Sequence, residues 1–494
     1  MGCSIEYYNT LTISDSDISV TTSNRNGYAT NPTREERPSL EKALGTFEKN
    51  SLDPDKYYYF YDTDNTYWFS SSLANEYGEF KNIPSIKYTF SSAKNLPGLS
   101  IFFSNDTTYN PFWIRLIFTH SDGTVTDIET TGPKKGWFTY DDTVNNCKSA
   151  EIRIIAMRYP YIRAKIFRVE FGIVNTFTGD DVISGEMTEG INPVSVETET
   201  HTSIFQIKGE NAPMMKKRHK YDIYHTDVNG DEHFMGQHIS TDIVVNDDVI
   251  TLKGASLLKL LEYYYIPSEK VEVYEATTFL ERLKSFIDGR NLGIFISYPD
   301  DVKNIIVKGR FSNRVSLKTA FTALALACNL YIDCNSSNRI EFKHTNKLLT
   351  QTDNQFYIPE TQVFSGDNFK YNTPYRYLKL TTRSENDRIY TFTVTNPAVF
   401  DSETSKDISC ELYSSHTQES GVDEMLSSES LYYFNNTFYK ANTLCNLVMN
   451  SYAGIVGKKG VVNGHECILI RRKINLDGEK LYSENEYIYI KEAT

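Results

Sequence analysis

Two clusters in this chain have residue types and spacings that could do chemistry. Asp227, Asn229 and Asp231 set oxygen donors at alternate positions, as the opening of a calcium loop does. The Gly-x5-Glu continuation of such a loop is missing, and Asn229-Gly230 is a natural hairpin centre, so these residues read as a turn. His225, His233 and His238 lie close in sequence but lack the HExxH spacing. A hairpin would place them on different strands and faces, so no metal site is expected. The seven cysteines, Cys3, Cys147, Cys328, Cys334, Cys410, Cys445 and Cys467, are scattered and contain no CxxC. That argues against a zinc site or a disulfide framework and for reduced thiols. There is no GxSxG, no P-loop and no GxGxxG. No catalytic residue and no cofactor is assigned, and the chain is expected not to be an enzyme.

The elements that would position any site are easiest to read between Arg314 and His344. Leu317, Ala320, Phe321, Leu324 and Cys328 recur at helical spacing, with Ser316 as N-cap and Asn329 as a left-handed stop. Leu330–Cys334 and Arg339–Lys343 then read as a hairpin around Asn335–Asn338. Upstream, Thr278 to Asp288 is a second amphipathic helix, with Thr278 and Glu281 at capping-box spacing. Such a unit has one apolar helix face and one apolar sheet face, which the rest of the chain must cover.

The 494 residues suggest about three domains. Thirty-five tyrosines and 28 phenylalanines favour a mainly β protein. The net charge of −13, with only Lys216–Arg218 as a basic run, argues against stable nucleic-acid binding. No apolar run could span a membrane, and no secretion signal is visible; Glu6 stands where a lipidation motif would need Ser or Thr.

Along the chain, residues 1–56 read as an arm with one weak strand. Residues 57–172 alternate short aromatic and β-branched runs with turns, including Ser121-Asp-Gly123, as a β-sandwich does. Residues 173–265 form a further β block closing on a short helix at Ser256–Tyr263, and 266–345 are the α+β insert. Residues 346–494 return to β, with a loop over 401–430 and one helix from Thr437 to Tyr452, where Phe438, Ala441, Leu444, Cys445 and Val448 fall on one side.

Two resemblances sit on this frame. Tyr67–Ser72, Pro97–Phe103, Pro111–Gly123 and Tyr161–Gly172 resemble, in pattern and order, the discoidin-like jelly rolls near the start of Gram-positive phage tail proteins. Phe234-Met-Gly-Gln-His-Ile239, followed by Val249-Ile-Thr-Leu-Lys-Gly254 and a helix, resembles the first β-barrel of phage tail-hub and baseplate proteins. The resemblance implies a jelly-roll sandwich, then two hub-type β-barrels around a helical insert. It also implies a structural subunit of a phage or phage-derived bacteriocin (tailocin) particle, assembled in the bacterial cytoplasm. Such a subunit forms a homotrimer that joins the tail tube to the host-facing tip beside other baseplate proteins. The alternative it implies is a receptor-binding protein that holds host surface glycan on its sandwich. Trp137, Tyr159, Trp68, Trp113 and Arg115 are the candidate sugar contacts, Trp137 being the one expected to be exposed.

Overall fold

Period-2 burial governs most of this chain, and it is clearest in the strand Ser85–Leu96. Ile86, Tyr88 and Phe90 point inward while Lys87 and Thr89 stay half-exposed. The computed structural model describes residues 2–11, 13, 15–25, 44–49, 57–60, 68–104, 107–134, 136–193, 195, 197–209, 215–226, 232–246, 248–266, 276–287, 292, 294–311, 314–334, 339–371, 375–383, 389–397, 399, 404–414, 437–444, 456–477 and 480–490. The calcium-like spacing at Asp227–Asp231, the turn at Asn335–Asn338, residues 26–43 of the arm and most of the 401–430 loop lie outside the described residues. The chain folds as two units, Tyr7–Asn175 and Met1–Glu6 with Thr176–Thr494. It is mainly β.

The unit Tyr7–Asn175 is a sandwich of antiparallel sheets. One sheet runs Ile18–Ser23, Ser85–Leu96, Val144–Met157, Pro111–His120, Val125–Thr131; the other runs Gly136–Tyr140, Leu99–Ser104, Arg168–Glu170. Between them lie Ile114, Leu116, Phe118, Ile152 and Ile154 from the first and Leu99, Ile101, Phe103 and Val169 from the second. Phe171 meets Tyr88 and Phe90 edge-on at 5.2 and 5.1 Å. Ile18–Ser23, read from sequence as part of a loose arm, pairs with Ser85–Phe90 and is an edge strand of the sandwich. Its weak alternation hid this, because an edge strand buries little on its own.

In the second unit one sheet runs Lys220–Thr226, Glu232–Asn246, Val249–Ser256, Thr202–Lys208, Val182–Gly190, His465–Asp477, Lys480–Tyr489, Thr437–Leu444, Val363–Tyr371. The two hairpins read from sequence share the long strand Glu232–Asn246, which changes register between Ser240 and Asp242. The early and late β blocks meet where Val182–Gly190 pairs with His465–Asp477.

Four helices are described: α1 (Leu258–Glu262), α2 (Phe279–Ile287), α3 (Leu317–Ala327) and α4 (Thr345–Leu349). The caps are those read from sequence. Thr278 and Glu281 bond reciprocally at 3.0–3.2 Å, Ser316 Oγ accepts from Thr319 N, and Asn329 has φ 54°. Residues outside 266–345 pack against the insert. Leu378, Leu380, Ile408 and Leu412 pack with Phe321, Leu324 and Phe342, and Ile306–Gly309 pairs with Leu412–Ser414.

Two expectations are corrected. Thr437–Leu444 is a strand between Val363–Tyr371 and Lys480–Tyr489, where a helix was expected from Thr437 to Tyr452; the residues beyond Leu444 lie outside the described ones. Its Thr-Phe-Tyr start favours extended backbone, and hydrogen bonding on both sides outweighs a weak helical period. Within the 401–430 loop, Ser405–Cys410 and Leu412–Ser414 are strands; Ile408, Cys410 and Leu412 alternate inward.

Gly254 is fixed by a close approach. A Cβ there would lie 1.7 Å from the Tyr221 phenol oxygen. Gly123 differs: its φ is +85°, yet a Cβ would meet nothing within 4 Å. Gly254→Ala is therefore expected to cost about 2–3 kcal/mol through displacement of a buried ring. Gly123→Ala should cost about 1 kcal/mol, from backbone strain alone. Urea unfolding of the two variants, monitored in each unit, checks the difference.

Candidate functional site

Three places in the described structure gather polar or aromatic groups in a way that could act chemically: a buried network in the large sheet of the second unit, a buried ion pair, and the aromatics of the sandwich. Ser203 faces inward from the alternating strand Thr202–Lys208. Its Oγ lies 2.6 Å from the Tyr221 phenol oxygen and 2.6 Å from His238 Nδ1. His201 Nε2 donates to Gly190 O at 2.8 Å, and its Nδ1 faces Cys334 Sγ at 3.9 Å. These motif residues meet for a physical reason. His238 belongs to the Phe234–Ile239 run, and Gly254 leaves the space for Tyr221. Gly236, in the same run, takes φ +144° beside a register shift.

A hydroxyl beside an imidazole is the raw material of nucleophilic catalysis. Here Ser203, Tyr221, His201 and His238 are all buried, and the Ser203 hydroxyl is already shared between two partners. The arrangement ties strands together in the low-dielectric interior. Burial holds the His238 imidazole down to about 3, with His201 adding to the effect, so it is neutral at pH 7. His225 and His233 oppose each other across the hairpin and His238 lies further along the strand. Among the described residues no three His, Cys, Asp or Glu side chains are grouped to hold a metal ion.

The ion pair stands where the two β blocks join. Glu189 and Arg472 are directly opposite, with Arg472 Nη2 and Nε donating to Glu189 Oε2 at 2.6 and 3.1 Å, and both are buried. Partly exposed pairs flank it: Lys473–Glu186 at 2.9 Å and Arg471–Glu199 at 3.2 Å.

The five candidate sugar contacts do not converge. Trp68 is fully buried in the sandwich core. Arg115 is tied to Asp127 through Nε and Nη2, at 2.8 and 2.5 Å, and to Glu129 at 3.3 Å; this pairing lowers the Asp127 carboxyl. Trp137 is half-buried, 5.3 Å from the Phe102 ring and 6.3 Å from Tyr8. The Arg168 guanidinium lies over both Tyr8 and Trp137. Trp113 and Tyr159 sit at one end of the sandwich, where Met157 pairs with Pro111. Three exposed rings at that end were missed from sequence: Tyr77, Phe112 and Tyr161. The turn sequence Asn75-Glu-Tyr-Gly78 and Tyr159-Pro-Tyr161, both with tyrosines at loop tips, was the available signal.

The cysteines read as reduced are free and buried in all described cases; burial pushes the Cys147 thiol up to about 11. Among the described residues no helix is long and apolar enough to cross a membrane.

No family model matches the chain, and no curated protein matches it. Among solved structures it is similar to the tail protein from Neisseria meningitidis MC58, at 9% identity over 65% of this chain and 94% of that one, with a TM-score of 0.47. It is similar to prophage tail protein gp18 from Listeria monocytogenes EGD-e, at 11% identity over 65% and 92%, with a TM-score of 0.44. It is also similar to the E. coli c3393 protein, a type VI secretion component described as similar to T4 bacteriophage tail proteins gp27 and gp5, at 9% identity over 63% and 74%, with a TM-score of 0.38.

Two outcomes follow from the buried groups. Arg472→Leu strands the Glu189 carboxylate and should cost about 3–5 kcal/mol, much of it recovered when Glu189→Leu is added; denaturant unfolding measures both. His238 stays neutral in the fold but takes a proton at about pH 6.5 when unfolded. Its contribution is therefore complete above pH 6.5 and is lost progressively as pH falls toward about 3. Stability measured from pH 6.5 to 5 should fall less steeply in His238→Gln, by about one proton taken up on unfolding.

Proposed function

We propose that this chain is a structural subunit of a phage or phage-like tail, placed at the tip or baseplate hub and joining the tail tube to the host-facing end. The observation that carries this reading is the ladder between Val182–Gly190 and His465–Asp477. It closes two β blocks, far apart in sequence, into one frame around an α+β insert. The hub-like motifs Phe234–Ile239 and Val249–Gly254 lie within that frame and meet at its buried Ser203–Tyr221–His238 network. The serine–histidine pair is shut from solvent, which suits a structural part rather than a hydrolase. Ile204, Val244 and Val245 are exposed large aliphatics on the same sheet and would be consumed in subunit contacts. We infer a homotrimer, in which two barrels per chain would give a pseudo-sixfold ring.

Light scattering at several concentrations tests this. The expected species is three times 56.7 kDa, about 170 kDa. Mass spectrometry of purified particles should find the chain beside the tube protein. A monomer at every concentration, absent from particles, would overturn the reading.

A further inference from the structure

We propose that Arg218, Tyr263, Tyr265 and Arg314 form a docking surface for an extended, carboxylate-rich segment of a partner protein. The inference goes beyond the structural-subunit reading and does not rest on it, because a monomer or an oligomer could carry such a surface.

Lys216, Lys217 and Arg218 are a basic run in a chain of net charge −13, and all three are exposed. Ser240, on the neighbouring strand Glu232–Asn246, braces the turn they make. Arg218 N donates to Ser240 O at 2.7 Å and Ser240 N to His219 O at 2.8 Å. His219 N donates to Ser240 Oγ at 3.1 Å, and that hydroxyl donates to Lys216 O at 2.6 Å. Arg218 takes φ +72° although it is a long non-glycine residue. Strain of this kind persists where the surroundings impose it, and it gathers at ligand sites. Its result here is a guanidinium set over the Tyr263 ring, 4.6 Å from the centroid.

A second arginine repeats the arrangement from another part of the chain. The Arg314 guanidinium lies 4.6 Å from the centroid of the Tyr265 ring, and Arg314 is exposed. Tyr263 and Tyr265 are 38% and 42% exposed, whereas Tyr264 packs on the core of the insert and Ile266 is buried in it. Two residues apart, the exposed tyrosines are at most about 7 Å from each other at Cα. Leu317 N donates to Tyr264 O at 2.8 Å and Ile266 N to Val315 O at 3.1 Å, which fixes this segment against the start of α3. The two arginine–tyrosine stacks are thus held on a braced frame, which lowers the entropy cost of binding.

The chemistry of the stacks selects the ligand. A guanidinium laid on a ring keeps its in-plane N–H groups for a carboxylate fork. Two neighbouring forks match carboxylates at alternate positions of an extended peptide, which recur on one face about 6–7 Å apart. The acids nearby are answered by lysines. Asp242 lies 2.9 Å from Lys217 and 3.8 Å from Lys253, and Glu262 lies 2.5 Å from Lys259 and 2.9 Å from Lys318. The local field therefore stays positive, which attracts an acidic partner. Nucleic acid is disfavoured, because each tyrosine already carries a guanidinium on its ring and base stacking needs an open face.

The test uses the full chain and fluorescence anisotropy of a labelled peptide of about six Asp-Thr repeats, at protein concentrations up to about 1 mM. An Asn-Thr peptide and an oligothymidine of the same length are the comparisons. The acidic peptide is expected to bind, and several-fold more weakly when salt rises from about 50 to 300 mM. Arg218→Gly and Arg314→Gln should each weaken it by about fivefold or more. Arg314→Lys should weaken it nearly as much as Arg314→Gln, because an ammonium cannot form the fork. Lys81→Gln, an exposed cation of the other unit, should leave it unchanged. Arg218→Gly relieves the strained φ, so its unfolding midpoint should hold or rise, separating lost contact from lost folding. No binding of the acidic peptide, equal binding of the Asn-Thr peptide, binding indifferent to both arginines, or tighter binding of the oligothymidine would each overturn the proposal.

Discussion

The second unit depends on the pairing of Val182–Gly190 with His465–Asp477. Without it, each β block would present an unpaired edge, and every unmade backbone bond there would have to find water or another chain. Closing a loop of this length costs conformational entropy, but only logarithmically in its length. The ladder, Met187 and Ile474 beneath it, and the Glu189–Arg472 pair set across it are what offset that cost. The ion pair adds little net energy against an apolar pair of the same shape. Its value is in register, because a slip by one residue would bury a charge without its partner.

The same logic of alternate faces explains the polar network. A strand such as Thr202–Lys208 sends every second residue inward, so Ser203 arrives in the interior together with Phe205 and Ile207. A hydroxyl so placed must be satisfied locally, and Tyr221 and His238 supply the partners from neighbouring strands. Gly254 is part of this arrangement because only the absence of a side chain leaves room for the Tyr221 phenol.

Local signals were legible where they act over a few residues. The Ser316 cap, the Thr278–Glu281 box, the left-handed Asn329 and the Ser121–Gly123 turn depend on near neighbours, and each is where the sequence placed it. What was not legible depends on distant partners. Thr437–Leu444 carries a weak helical period, and only the strands on either side of it decide for β. The pairing of Leu412–Ser414 with Ile306–Gly309 is a contact that no local pattern announces. The sugar candidates were chosen for ring type, which does not distinguish the core Trp68 from a loop tip such as Tyr77. Exposure there is a property of where strands end.

The long-range ladder also bears on how the chain is made. A ribosome adding about 5–20 residues per second needs roughly 15–60 seconds to pass from Glu189 to Arg472. Throughout that interval Val182–Gly190 is a bare edge awaiting a partner not yet synthesised. Its sequence, Val-Ile-Ser-Gly-Glu-Met-Thr-Glu-Gly, carries two glutamates and two glycines. Those residues resist pairing with a wrong strand, so the charge that later meets Arg472 first serves to keep the nascent edge in solution.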